Sequence, residues 1–267
     1  MPALSLSDVS LHYREDGDPD GAPVVFANSL GTDLTMWDAM VAYLPPGLRI
    51  VRYDKRGHGQ SSVPAAPYTM GALIGDAERL LDHLEIRRAV FVGLSIGGLI
   101  GQGLAAKRLD IVRALVLSNT AAKIGTREMW QTRIDALRAQ GIDGIAPDIL
   151  TRWFSRDFLR DGPVDHWRAM LTRQPLEGYI GCAEAIAGTD FYTPTSGLRL
   201  PVLGIAGSED GATPPDLVRE TIDLIPGARF ELMRRAGHLP CVERPESYAT
   251  MLTAFLRETG HIGNADD

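Results

Sequence analysis

The chain has 267 residues, 45% of them hydrophobic and 23% charged, which is enough for one sizeable α/β domain that buries its own core. Its formal charge of −7 argues against a nucleic-acid or anionic-membrane surface, and an anionic small substrate would need a local cation to offset the overall field. No apolar run approaches the roughly 18 residues that span a bilayer, and MPALSLSDVSLHYRED carries neither the charged nor the apolar region of a signal peptide.

Cys182 and Cys241 form no metal spacing and no CxxC pair. The expectation is a cytoplasmic chain with two reduced, buried thiols.

In chain order, Leu4 to Leu6 and Val9 to Tyr13 read as short strands, a hairpin at one sheet edge. Four compact apolar runs follow, Val24 to Ala27, Leu48 to Tyr53, Ala89 to Val92 and Ala114 to Leu117, the pattern of strands buried on both faces of a parallel sheet. Between them lie helix candidates at Met36 to Tyr43, Met70 to Leu84 and Ile96 to Arg108.

The rhythm then changes. Residues 120–194 are helix-like, rich in Arg and Asp, and hold three of the four tryptophans, Trp130, Trp153 and Trp167. Strand and helix alternate again at Pro201 to Ala206, Asp216 to Leu224 and Arg229 to Met233, before a closing helix at Pro245 to Glu258 and a polar tail, HIGNADD, expected to fray. The pattern predicts a doubly wound, mostly parallel eight-stranded sheet built from residues 1–119 and 195–267, with a helical lid at 120–194 inserted after the sixth strand.

Within this frame GLSIGG contains Gly93-x-Ser95-x-Gly97. In a chain with 28 glycines the bare pattern is weak, but here it falls directly between a strand and a helix. A sharp strand-to-helix turn lifts the central side chain above the sheet, needs glycine where neighbouring segments approach, and aims the first helical amides at the space above the serine. Ser95 is therefore a candidate nucleophile; the competing reading is a close helix–strand packing contact.

A serine nucleophile needs a base and an acid that orients it, arriving in this fold in the order Ser, Asp or Glu, His on strand-end loops. The run after Pro201 to Ala206, GSEDGATPP, offers Asp210, with Glu209 as a rival; the glycine and proline pair that follow favour Asp210. The strand Arg229 to Met233 leads into RRAGHLP, which puts His238 on the last loop.

With these residues in place the chain resembles the α/β-hydrolases, and more narrowly the 3-oxoadipate enol-lactonases. The resemblance is carried by NSLGTDLTMWDAM (28–40), YDKRGHGQSS (53–62), GLSIGGLIGQGLAAKRLDIVRALVLSNTAAKIGTREMW (93–130), GCAEAIAGTDF (181–191) and AGHLPCVERPE (236–246). It implies a Ser95–His238–Asp210 triad, an oxyanion hole formed by the backbone amides of Leu30 and Ile96, a small lactone substrate and no cofactor.

One departure is that Asn28-Ser29 stands where many relatives have His-Gly, which leaves open what supports the Leu30 amide. KRGHGQSS (55–62) is expected to be a structural turn near the site rather than a phosphate loop.

An enol-lactone with an acetate arm needs a cationic fork for its carboxylate. On a helix around Glu128 to Ala139, Trp130, Ile134 and Leu137 share one face, with Arg133 about 60° to one side and Arg138 about 80° to the other. Arg133 is the first candidate and Arg138 the second, against the reading that both are solvated charges. Trp130 and Trp153 are candidate pocket walls, with core or lid packing as the alternative. The rival functions are a general carboxylesterase, a carbon–carbon hydrolase of a ring-cleavage product, and a non-catalytic ligand receptor on the same fold.

Overall fold

The computed structural model describes residues 2–263. Eight strands, β1 (Ala3–Ser5), β2 (Ser10–Gly17), β3 (Ala22–Ala27), β4 (Leu48–Tyr53), β5 (Ala89–Leu94), β6 (Val112–Ser118), β7 (Val202–Gly207) and β8 (Arg229–Met233), form one sheet in the order β1-β2-β4-β3-β5-β6-β7-β8. The first hairpin and the β2–β4 pair are antiparallel, and every pairing from β4 to β8 is parallel.

The all-apolar runs lie at the centre. Every residue of β5 and of β7 is buried, as strands covered on both faces require. Removing a side chain such as Phe91, which has no exposed surface, would cost about 3–5 kcal/mol in transfer and cavity terms.

Two elements run differently from their sequence patterns. β2 continues through Arg14, Glu15 and Asp16 to Gly17 because β4 supplies opposite charges across the strand pair: Arg49 to Glu15 at 2.6 Å and Arg52 to Asp16 at 2.5 Å. The Met36 to Tyr43 helix is instead a 3₁₀ turn (Leu34–Trp37) leading into the short α1 (Asp38–Val41), started by the Asp33 side chain accepting from the Thr35 amide.

Helix α3 (Ile96–Lys107) packs on the sheet, and α2 (Met70–His83) packs against α3. Between β6 and β7 the chain forms α4 (Arg127–Trp153), α5 (Arg156–Asp161), α6 (Val164–Thr172), α7 (Leu176–Ala187) and α8 (Tyr192–Ser196). α4 is broken at Gly141, whose φ of 68° and ψ of 179° are open only to glycine. α9 (Pro215–Asp223), the short α10 (Pro240–Glu243) and α11 (Pro245–Glu258) complete the chain. Among the described residues, no helix is long and apolar enough to cross a membrane.

The tail departs from expectation where it is described. His261 is buried, with Nε2 3.0 Å from the Pro23 carbonyl oxygen, and Arg113 holds the Thr259 carbonyl at 2.8 Å. Residues 264–267, the rest of the segment expected to fray, lie outside the described residues.

The carboxyl ends of β3, β5, β6, β7 and β8 open onto one rim, the place where sheets of this class hold their ligands. Ser29, Ser95, Asn119, Asp210 and His238 all follow these strand ends.

Candidate active site

Ser95 occupies the turn between β5 and α3 with φ 58° and ψ −119°, a conformation that costs a non-glycine residue about 1–3 kcal/mol. The turn is held by the Ser95 amide donating to the Ser118 carbonyl at 3.0 Å and by the Gly98 amide donating to the Ser95 carbonyl at 2.8 Å. The flanking glycines are required by contact: a Cβ on Gly93 would lie 2.2 Å from the Gly97 carbonyl oxygen, and one on Gly97 2.2 Å from that of Ala27. The competing packing reading is therefore true of the glycines, while the serine they flank lines a cavity.

Asp210 is buried beneath His238. Its Oδ2 accepts from His238 Nδ1 at 2.9 Å, Asn119 Nδ2 at 2.8 Å and Thr213 Oγ1 at 2.8 Å, and its Oδ1 accepts from the Ala212 and Thr213 amides at 2.7 and 2.9 Å. Burial pushes this carboxyl up, but His238 and the donors on both oxygens outweigh it and hold the pKa below the ordinary carboxylate value. Five donors leave an ionised acceptor that fixes Nδ1 as the protonated ring nitrogen.

Glu209 turns away and accepts from the Arg156 amide at 3.0 Å, at the start of α5. The His238 amide donates to the Trp153 carbonyl at 2.7 Å, so the imidazole loop hangs on the last residue of α4. Half-buried Glu243 accepts from the Gly237 amide at 2.7 Å, from the Ser155 amide at 3.2 Å and from the Ser155 hydroxyl, joining the same loop to the start of α5. Burial raises the Glu243 pKa, with those donors only partly offsetting it.

His238 Nε2 faces Ser29 Oγ at 3.4 Å, and Ser95 Oγ takes no hydrogen bond from any described residue. Ser29, Ser95 and His238 nevertheless line one cavity of about 440 Å³ together with Leu30, Trp130, Arg133, Arg152, Trp153, Tyr179 and Thr213. The cavity is large enough for a small lactone. Leu30 is part of its lining; Ile96 is the first residue of α3, where the helix leaves amides without an internal acceptor.

The support for the loop at 28–32 comes from Asn28 itself and from the turn at 55–59. Asn28 Nδ2 donates to the Tyr53 carbonyl at 2.9 Å and Asn28 Oδ1 accepts from Trp37 Nε1 at 2.8 Å. From the KRGHG turn, Lys55 Nζ donates to the Ser29 carbonyl at 2.6 Å and His58 Nε2 accepts from the Gly31 amide at 3.0 Å.

Arg133 leans back toward the helix N-terminus, as long helical side chains do, and its guanidinium lies 5.3 Å from the Trp130 ring and 5.9 Å from the Tyr179 ring. It lines the cavity; Arg138 does not. One residue past the fully buried Leu137, Arg138 is turned about 100° round the helix to the outer surface, where it pairs with Glu184 at 3.3 Å. Trp130 and Trp153 both line the cavity, Trp130 anchored by its Nε1 donating to the Ile124 carbonyl at 2.6 Å.

Several contributors went unmarked in the sequence. Arg152 brings a second cation to the wall, Asn119 and Thr213 hold Asp210, and Tyr179 of α7 closes one side. Only Asn119 had a local signal, its place just past the end of β6. Cys182 and Cys241 are both free and buried.

Residues 24–251 match the Alpha/beta hydrolase family. A 3-oxoadipate enol-lactonase 2 from Acinetobacter baylyi is 38% identical over 95% of this chain and 96% of its own. The crystal structure of the enol-lactonase from Burkholderia xenovorans LB400 superposes with a TM-score of 0.92 at 39% identity, covering 96% of this chain and 99% of that one. A thermophilic esterase from Thermogutta terrifontis, solved with malate bound, superposes with a TM-score of 0.90 at 27% identity over 97% of this chain and 99% of that one.

Proposed function

The chain belongs to the alpha/beta hydrolase family, alongside the enol-lactonases, and from that premise we propose that it opens 3-oxoadipate enol-lactone to 3-oxoadipate, a step of aromatic catabolism, by acyl-enzyme chemistry on Ser95. The observation that carries the proposal is the shared cavity: an Asp210-anchored His238 and the elbow Ser95 at its base, with the Arg133 guanidinium set between two aromatic rings on its wall.

In this scheme Ser95 Oγ rotates onto His238 Nε2, gives up its proton and attacks the lactone carbonyl carbon. Asp210 stabilises the imidazolium that results. The Leu30 and Ile96 amides receive the developing oxyanion; losing one such donor typically costs about 3 kcal/mol of barrier. Collapse breaks the ring C–O bond, the enol oxygen takes the proton from His238, and the enol tautomerises to the ketone while the acyl group stays on Ser95. A water deprotonated by His238 then attacks the acyl-enzyme and releases the acid.

Helices α4 to α7 serve as the lid, and Arg133 holds the carboxylate of the acetate arm as a charge-assisted pair. Loss of enol-lactone ultraviolet absorbance in the presence of wild-type protein, and its persistence with Ser95→Ala, is the expected outcome; turnover undiminished in Ser95→Ala overturns the scheme.

A second reading, a general carboxylesterase, is favoured by the esterase relative and keeps the same triad. A panel of enol-lactone, p-nitrophenyl acetate and a vinylogous 1,5-diketone separates the two and also tests carbon–carbon bond cleavage. The receptor reading requires negligible turnover on all three.

A further inference from the structure

We propose that Lys55 is a positioning residue for the oxyanion site: its buried ammonium grips the Ser29 carbonyl and, through that single peptide plane, aims and polarises the Leu30 amide. The proposal rests on the acyl-enzyme reading and goes beyond it by assigning work to a residue outside the triad and the pocket.

Among the described residues the one cis bond is Ala66–Pro67, so the Ser29–Leu30 peptide is trans and its C=O and N–H point in opposite directions. Lys55 Nζ lies 2.6 Å from the Ser29 oxygen and 3.3 Å from the Thr32 oxygen, on the far side of the loop from the N–H of Leu30. Leu30 lines the catalytic cavity, whereas Lys55 does not. A cation on a carbonyl oxygen draws electron density through the amide and makes its N–H a stronger donor, an effect enhanced where water is excluded. His58 bonds the next amide, that of Gly31, so Leu30 is bracketed on both sides.

Burying an ammonium is expensive unless its donors are satisfied, and the neighbouring carboxylates are engaged elsewhere. Asp54 accepts from His12, the Leu34 amide and the Gln60 amide, while Asp33 pairs with Arg173 at 2.5 Å and accepts from Thr35. The hydrogen bonds of Lys55 therefore go to the loop itself.

The groups that bear on its charge are Asp54 beside it, Asp33 in the loop after β3, His58 in its own turn and Cys182 from α7. Burial lowers Lys55 to about 8, with Cys182, Asp54 and Asp33 partly opposing the shift. Burial pushes the Cys182 thiol up to about 12 and, with Lys55, pushes His58 well down, so near neutral pH Lys55 is the group of this cluster that titrates.

The test is the kcat profile for p-nitrophenyl acetate from pH 6 to 10, corrected for spontaneous hydrolysis, with wild type, Lys55→Met and Ser95→Ala. The wild type should lose kcat on the alkaline side with a midpoint near 8. At pH 7 Lys55→Met should lose about tenfold to a hundredfold in kcat, less than the 10²–10³ of removing a whole donor, with KM changed by less than about threefold and no alkaline fall. A wild-type kcat constant from pH 7 to 10 overturns the proposal even if the variant does not fold. A folded Lys55→Met with wild-type kcat and the same alkaline fall overturns it as well. Turnover persisting in Ser95→Ala brings down the underlying reading instead.

Discussion

Ser29 Oγ stands 3.4 Å from His238 Nε2, at the ring nitrogen that Asp210 does not hold. In the proposed scheme Nε2 accepts the Ser95 proton, which sets the two hydroxyls in competition for one lone pair. At this distance the Ser29 contact is weak, at the low end of the roughly 0.5–1.5 kcal/mol of an ordinary hydrogen bond. Ser29→Ala should therefore remain active, with kcat/KM within about fivefold of wild type and faster labelling of Ser95 by a fluorophosphonate. Loss of labelling would instead place the Ser29 hydroxyl among the reacting groups.

Asp210 links activity to pH and to stability. Its folded pKa lies below the unfolded value near 3.8, so its ionised form contributes stability that is fully present above that value and disappears as pH falls through the lower folded value. Asp210→Asn should reduce kcat by about 10⁴ by supplying the wrong partner for Nδ1–H. Denaturant melts between pH 7 and pH 3 should show the wild type losing more stability than the variant as acid is added; parallel curves would count against an ionised Asp210.

Substrate charge offers a separate measurement. Arg133→Ala should raise KM for a carboxylated enol-lactone at least tenfold more than for a neutral acetate ester, while Arg138→Ala, on the outer surface, should leave both unchanged. Equal effects of Arg133→Ala on the two substrates would falsify its assignment.

Glu243 tests the joint between the helical segment and the imidazole loop. Glu243→Ala leaves the Gly237 and Ser155 amides without their acceptor, at about 1–3 kcal/mol for a buried donor. A lower Tm and a reduced kcat with Ser95 still present at the elbow are expected. An unchanged Tm would show that water replaces the carboxylate without cost.

How far the molecule could be read in advance depended on range. β5 and β7 were visible because strands buried on both faces carry no polar alternation, and Ser95 because glycine spacing and a strand–helix boundary coincide within six residues. Asp210 and His238 stood out by chain order together with their places on strand-end loops, Asp210 over Glu209 by the glycine and proline pair that follow it. What escaped was non-local. Lys55 and His58 reach a loop more than 20 residues away, and nothing in KRGHG announces which carbonyl or amide they meet. Arg133 and Arg138 have nearly equal angular claims on the pocket; the choice between them lies in which way each side chain leans and in Glu184, a partner from another helix. The buried end of the tail was obscured for the same reason, since the acceptor for His261 is Pro23, at the opposite end of the chain.

The break at Gly141 separates two jobs within one long helix. The segment before it carries Trp130 and Arg133, while the segment after it ends in Trp153, whose carbonyl holds the His238 loop. A Cβ at 141 would touch nothing within 4 Å, so the position is governed by its dihedral angles and not by crowding. The bend at this residue joins the cavity wall that carries Arg133 to the segment that holds the His238 loop. A side chain at 141 would meet no neighbour but would strain the backbone, so its cost would fall on the bend that joins the two segments.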